Sequence, residues 1–121
     1  MKKNILIILT LLLQLALHAQ KKGQARIDSL VEVLNKTRQD TTRVNTLNTL
    51  ASDLLQNGKT DSAIELSSSA LLLAKKINFT FGEADAYYLI GQAYAAKANK
   101  TEALKNYENA LRLYEQTGHP A

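Results

Sequence analysis

A pattern of small and bulky residues occurs twice in this chain, at an interval of forty residues. The first copy consists of Leu47, Leu50, Ala51, Leu54, Ala63, Ala70 and Leu71, and the second of Tyr87, Ile90, Gly91, Tyr94, Ala103, Ala110 and Leu111. Self-similarity at a period of about 20 to 50 residues is typical of solenoids, in which each unit buries its apolar face against its neighbours. The repeat therefore predicts an extended fold that offers a binding surface.

Apolar residues within these copies recur at three- and four-residue spacing, as on one face of an amphipathic helix. A similar face, built from Ile27, Leu30, Val31 and Leu34, precedes the first copy. No stretch after residue 20 alternates apolar and polar residues long enough to predict a strand. The sequence predicts an all-α solenoid of antiparallel helix hairpins, with about two complete units and a preceding half unit.

The starts of three helices carry residues that can cap free backbone amides. The candidate caps are Asp40 or Thr41 for the second helix, Ser62 with Glu65 for the third and Thr80 with Glu83 for the fourth.

The first residues are typical of a secretory signal peptide. Lys2 and Lys3 precede an apolar run from Ile5 to Leu17, and Ala19 is the small residue after which we expect cleavage. An uncleaved signal anchor is the alternative, although the run is shorter than the about 20 residues that span a bilayer. We therefore expect the chain to be periplasmic or secreted from a bacterium, and without cysteine it has no disulfides.

These signals divide the chain into six segments. They are a signal peptide (1–19), a polar leader (20–24), an N-terminal half-repeat helix (25–37), a first unit (41–77), a second unit (80–118) and a tail (119–121).

The two copies resemble the signature of the tetratricopeptide repeat (TPR) family over roughly Val44 to Gly118. The residues that the resemblance assigns to packing are Leu47, Ala51, Ala63, Ala70, Tyr87, Gly91, Tyr94, Ala103, Tyr107 and Ala110. Ser67 stands where the family prefers an aromatic residue, so we expect the first unit to pack more loosely than the second. A period of forty residues is longer than the about 34 residues that are usual in this family. It resembles the spacing of arrays at the exported N-termini of bacterial sensor kinases.

The resemblance also implies where a ligand binds, because in this family the first helix of each hairpin lines a concave face. The candidate peptide-binding residues are Asn45, Asn48, Ser52, Gln56, Asp85, Tyr88 and Gln92. Amides, a hydroxyl and a tyrosine suit an extended peptide, whose backbone needs donors and acceptors. The family's lysine and arginine clamp for a terminal carboxylate is missing. The alternative is that these are merely soluble helix residues.

Other chemistry has little support in the sequence. The two histidines, His18 and His119, cannot form a metal site without cysteine, and we expect no cofactor and no catalytic residues. Asp53 and Glu65 are interpreted as ordinary carboxylates on helix surfaces. The basic residues form no stripe for nucleic acid, and Tyr88 and Tyr114 are too few for base stacking.

We expect an exported, non-catalytic scaffold that binds a protein or peptide. The alternative is the periplasmic sensory or dimerisation part of a longer signal-transduction protein, such as a sensor histidine kinase. Membrane contact would require an uncleaved signal anchor or a missing C-terminal region. Self-association through the open edge of the last repeat is a further alternative.

Overall fold

The protein is described by a computed structural model over residues 2–36 and 40–118, in which five α-helices and no strands occur. The helices are α1 (Lys2–Lys36), α2 (Thr41–Gln56), α3 (Thr60–Lys76), α4 (Thr80–Ala96) and α5 (Lys100–Gln116). Each helix packs against the next, and α2 also contacts α4. Thus α2 and α4 are the first helices of two consecutive hairpins, and α3 and α5 are the second. The predicted all-α helical repeat is confirmed.

The turns that end α2 to α5 recur every twenty residues, half the period of the sequence pattern. Each contains a residue with positive φ: Gly58 (76°), Asn78 (58°), Ala98 (59°) and Gly118 (76°). In the first three turns, the amide of the residue after the positive-φ residue donates to a carbonyl of the last helical turn. The bonds are Lys59 to Leu54 (2.8 Å), Phe79 to Ala74 (2.8 Å) and Asn99 to Tyr94 (2.9 Å). These bonds satisfy carbonyls that a helix end leaves free. A tight turn after 16 or 17 helical residues explains the long repeat.

Ala98 is the least suited of these residues to its turn, because a Cβ atom makes the left-handed conformation unfavourable by about 1 to 2 kcal/mol. We expect Ala98→Gly to raise the free energy of unfolding by about 1 kcal/mol, measured by urea denaturation. Gly58→Ala, at the matching position of the first hairpin, should change it in the opposite direction. An unchanged or lowered stability for Ala98→Gly would contradict the turn geometry.

One of the three predicted helix caps is confirmed. The Asp40 carboxylate accepts a hydrogen bond from the Arg43 amide at 3.2 Å. The capping boxes predicted for α3 and α4 are wrong. Lys59 and Phe79 occupy the N-cap positions of these helices, and their side chains make no capping bond. The backbone bond that closes the preceding turn fixes the start of each following helix, so Thr80 already lies inside α4.

Two clusters of buried residues form the part of the core between α1 and α4. One contains Val44, Leu47, Ala70, Leu73, Ala74 and Ala86 and joins α2, α3 and α4. The other contains Ile27, Leu50, Leu54 and Ala63 and joins α1, α2 and α3. The C-terminal part of α1 thus packs on α2 as the second helix of a preceding hairpin would. Arg43 reinforces this contact, since its Nη1 donates to the Leu34 carbonyl at 2.8 Å.

The residues assigned to packing fall into two groups. The small or aliphatic ones are buried, namely Leu47, Ala51, Ala63, Ala70, Gly91, Ala103 and Ala110. The three tyrosines of this set are half-buried, namely Tyr87, Tyr94 and Tyr107. Leu111 ends the second copy of the repeat and is 45% exposed, whereas its counterpart Leu71 packs against the first cluster.

Ser67 is fully buried, and its Oγ has no hydrogen-bond partner among the described residues. A buried polar atom without a partner costs about 1 to 3 kcal/mol. Tyr107, at the matching position of the second hairpin, instead fills the space beside Gly91. The serine therefore weakens the first hairpin through an unsatisfied hydroxyl.

The N-terminal region is one helix without a break at the predicted boundaries of 19 and 24, and Lys36 is its last described residue. It contains no proline, and one glycine at Gly23 lowers helix stability by about 1 kcal/mol, which neighbouring helix formers offset. The bulky apolar residues from Ile5 to Leu17 are exposed. This helix is long and apolar enough to cross a membrane, a property that signal sequences share. Thr37 and the tail 119–121 lie outside the described residues.

Candidate functional site

A groove of about 430 Å³ opens between α1, α2 and α4. It forms because α2 and α4 lie side by side with α1 along one edge. Its lining residues are Arg26, Asn45, Asn48, Thr49, Ser52, Asp53, Gln56, Asp85, Tyr88 and Leu89.

Six of the seven candidate peptide-binding residues line this groove, and the seventh is next to it. Gln92 is one turn along α4, where its Nε2 donates to the Tyr88 hydroxyl at 3.4 Å. The helical spacing of three and four residues brings these side chains to one face.

Asn48 differs from the other candidates because it is only 6% exposed. Its Nδ2 donates to the Gly82 carbonyl at 3.1 Å and so connects α2 to α4. Its Oδ1 is buried and accepts no hydrogen bond from the described residues. The asparagine therefore holds the two helices of the groove together and leaves one acceptor unsatisfied beside the groove.

Asp53 is not the ordinary surface carboxylate that the sequence suggested. It is buried, and its Oδ2 lies 2.5 Å from Nε of Arg26 on α1. The sequence contained no local sign of this pair, since the two residues are 27 positions apart. The ion pair lines the groove and joins α1 to the first hairpin.

Asp85 is half-buried and accepts a hydrogen bond from the hydroxyl of Tyr114 on α5. Burial raises the pKa of the Asp85 carboxyl, although the Tyr114 hydroxyl opposes that shift. Burial and this carboxylate together raise the pKa of the Tyr114 phenol. The Tyr114 ring also makes an edge contact with Phe81, with centroids 5.7 Å apart. The Tyr114 ring is therefore engaged within the fold, because α5 packs it onto α4.

The raised pKa of Asp85 predicts how stability depends on pH. Because the folded chain holds this proton more tightly than the unfolded chain, stability rises as pH falls through the folded-state pKa towards the ordinary value of 3.8. Asp85→Asn keeps an acceptor for Tyr114 but cannot titrate. We expect the melting temperature of wild type, measured relative to that of this variant, to rise as the pH is lowered from 7 to 4. A difference independent of pH would contradict the assignment.

Tyr88 is the large aromatic residue most open to the groove, with 45% of its surface exposed. Its ring lies 5.7 Å from that of Tyr107, at an interplanar angle of 45°. Tyr107 supports one side of the Tyr88 ring, and the other side of that ring is open. Tyr88 can therefore serve as an apolar platform.

Metal chemistry finds no support in the described part of the chain, where no group of three or more histidine, cysteine, aspartate or glutamate residues could hold an ion. His18 lies on the exposed part of α1, and His119 lies outside the described residues. The groove instead offers amides, hydroxyls, one ion pair and one aromatic ring.

Comparison with known protein families identifies the repeat. The sequence model of the tetratricopeptide repeat family matches residues 42–116, which is more than half of the chain and covers both hairpins. The chain belongs to the TPR family. The resemblance seen in the sequence is thereby confirmed, although the likeness to sensor kinases stays a prediction. The chain matches no curated protein and no solved structure.

Membership of this family supports a general role. TPR repeats typically form non-catalytic scaffolds that bind protein or peptide partners. The groove of this TPR protein lies on the first helices of its hairpins, α2 and α4, with α1 added at one edge.

Proposed function

We propose that this TPR protein is an exported, non-catalytic scaffold that binds an extended segment of a partner protein in the groove between α2 and α4. The observation that carries the proposal is the row of amide and hydroxyl side chains along that groove, with the unsatisfied Asn48 Oδ1 beside it. An extended peptide exposes backbone donors and acceptors at regular intervals, and such side chains can satisfy them.

Export rests on the N-terminus. Two lysines precede an apolar segment whose side chains are exposed throughout. Removal of residues 1–19 would leave the docked part of α1, including the Ile27 and Leu34 contacts, in place. We therefore propose a periplasmic or secreted location, with an uncleaved anchor as the alternative. N-terminal sequencing of the protein expressed in a bacterial host tests this: a first residue of Gln20 is expected, and an intact Met1 would contradict it.

Selection of binding peptides tests the groove. The full chain, kept soluble in mild detergent, is used to select decapeptides from a random displayed library, and dissociation constants are measured by fluorescence anisotropy. We expect Tyr88→Ala to weaken the selected peptides at least about tenfold, as for a central aromatic residue of an interface. Gln56→Ala should weaken them less, because it removes an exposed, flexible side chain and no aromatic ring.

Leu72→Ala provides the matched control, since Leu72 is also exposed but lies on α3 outside the groove. It should leave the affinities unchanged. Peptides that bind wild type and Tyr88→Ala equally well would contradict the location of the site.

A second candidate function is the sensory or dimerisation part of a longer signalling protein. Leu104 and Leu111 on α5 are exposed, whereas the matching Ile64 and Leu71 on α3 are half-buried where α4 follows. The outer face of α5 could therefore receive another helix, either from a longer polypeptide or from a second copy. Sequencing the genomic locus beyond Ala121 tests the longer polypeptide, which an immediate stop codon would exclude.

A further inference from the structure

We propose that the groove selects a segment that carries a lysine or arginine, whose charged group lies between the Asp85 carboxylate and the Tyr88 ring. This inference rests on the proposed function and specifies the chemistry of the partner segment. It follows from the charges of the groove, from the positions of Asp85 and Tyr88, and from the unsatisfied acceptor nearby.

The charges of the groove leave one carboxylate without a cation. Three lining residues are charged, namely Arg26, Asp53 and Asp85. Arg26 and Asp53 form an ion pair with each other. Within residues 2–36 and 40–118, Asp85 forms no salt bridge and is bound by the neutral Tyr114 hydroxyl. The groove therefore carries about one uncompensated negative charge, at Asp85.

Asp85 and Tyr88 are three residues apart on α4, so their side chains are neighbours on one helix face. The hydroxyl of Tyr114 uses Oδ1 of Asp85, which leaves Oδ2 able to accept from a ligand. The exposed face of Tyr88 can attract a cation through its ring electrons at distances up to about 6 Å. A carboxylate next to an aromatic ring suits an ammonium or a guanidinium group better than a neutral group.

The unsatisfied Oδ1 of Asn48 is independent evidence for a ligand that donates hydrogen bonds. Asn48 lines the same groove and is more than nine-tenths buried, and its other amide atom is already used by Gly82. A small shift of the Asn48 side chain towards the groove would let a ligand N–H group satisfy this buried acceptor, which has no partner among the described residues. Lysine and arginine side chains are donors without acceptors, so they match a surface that presents acceptors.

An acidic segment fits this surface poorly. Its carboxylate would meet the unpaired charge of Asp85, and Arg26 is already occupied by Asp53. Like charges at close range disfavour binding, particularly where solvent is partly excluded. The geometry thus favours cationic over anionic segments, with neutral ones between them.

A positional-scanning peptide library tests the inference. Decapeptides with blocked termini are made as sublibraries in which one position is fixed as lysine, arginine, glutamine or glutamate, and their retention by the full chain in detergent is measured. We expect lysine and arginine at one central position to be retained about tenfold more than glutamate. Raising the salt concentration should reduce this preference, since exposed charges are screened.

Two charge-matched variants separate the groove from the general charge of the protein. Asp85→Asn should abolish the preference for lysine and arginine over glutamate. Glu65→Gln removes the same charge from an exposed position on α3 and should leave the preference intact. Circular dichroism confirms that both variants remain helical.

The outcomes distinguish the inference from the proposed function. Retention of all four sublibraries to the same extent, or a cationic preference that survives Asp85→Asn, would overturn the inference alone. Retention of no sublibrary would overturn the proposed function and the inference with it. A preference lost in Asp85→Asn and kept in Glu65→Gln supports both.

Discussion

Replacing Gly91 with leucine is expected to lower the free energy of unfolding by about 3 kcal/mol, the upper end of the cost of overpacking. A Cβ atom at this position would lie 2.7 Å from Cδ1 and 2.8 Å from Cε1 of Tyr107. The larger leucine would therefore displace the tyrosine ring that fills the interface between α4 and α5. It would also disturb the support of Tyr88, which packs against that ring.

Thermal unfolding followed by circular dichroism measures this effect. A loss of this size corresponds to a decrease in melting temperature of roughly 10 °C or more for a domain of this size. Ala95→Leu places the same side chain on an exposed position of α4 and should change stability by less than about 0.5 kcal/mol. Equal melting temperatures for Gly91→Leu and wild type would contradict the close packing of the second hairpin.

Replacing Gly82 with alanine is expected to destabilise the contact between α2 and α4. The added Cβ would lie 2.6 Å from Cγ1 of Val44 and 2.6 Å from Cδ2 of Phe79. Val44 is fully buried and cannot move away freely. The overpacking cost of about 1 to 3 kcal/mol should exceed the gain of about 1 kcal/mol in helix propensity. The same shift would strain the Asn48 hydrogen bond to the Gly82 carbonyl.

A double-mutant cycle identifies the cause. Val44→Ala removes the atom that the new methyl group meets, so the combined variant should be less destabilised than the sum of the two single variants. Urea denaturation gives the free energies. Strict additivity would show that contact with Val44 is not what makes a side chain at position 82 unfavourable.

The repeated positions were predictable because each is defined by its distance along a helix. Ala51, Ala63, Ala70 and Ala110 have small side chains where helices approach, and all four are buried. The start of α2 was likewise readable, since the cap of Asp40 acts on an amide three residues away. The caps of α3 and α4 were misread because backbone bonds across the turn fix these helix starts, and many side chains tolerate those bonds.

The positions of the candidate binding residues were also predictable in part. The sequence placed Asn45, Ser52, Gln56, Asp85 and Tyr88 on one surface, and the structure brings them around one groove. It could not show that Asn48 is buried, since that depends on how closely α4 approaches α2. The assignment of Asp53 to an ordinary surface was wrong for the same reason, because its partner Arg26 belongs to another helix.

The sequence by itself determined the number of repeats, the residues that pack between helices and the helix faces that carry polar side chains. Those properties depend on local spacing, because the spacing of residues along a helix determines the face on which each side chain lies. Tertiary structure alone decided that Gly82 is a point of close contact, that Arg26 neutralises Asp53 and that Tyr114 binds Asp85. Each joins residues on different helices, and their separation is set by the packing of whole hairpins. The charge that remains in the groove is therefore a property of the fold.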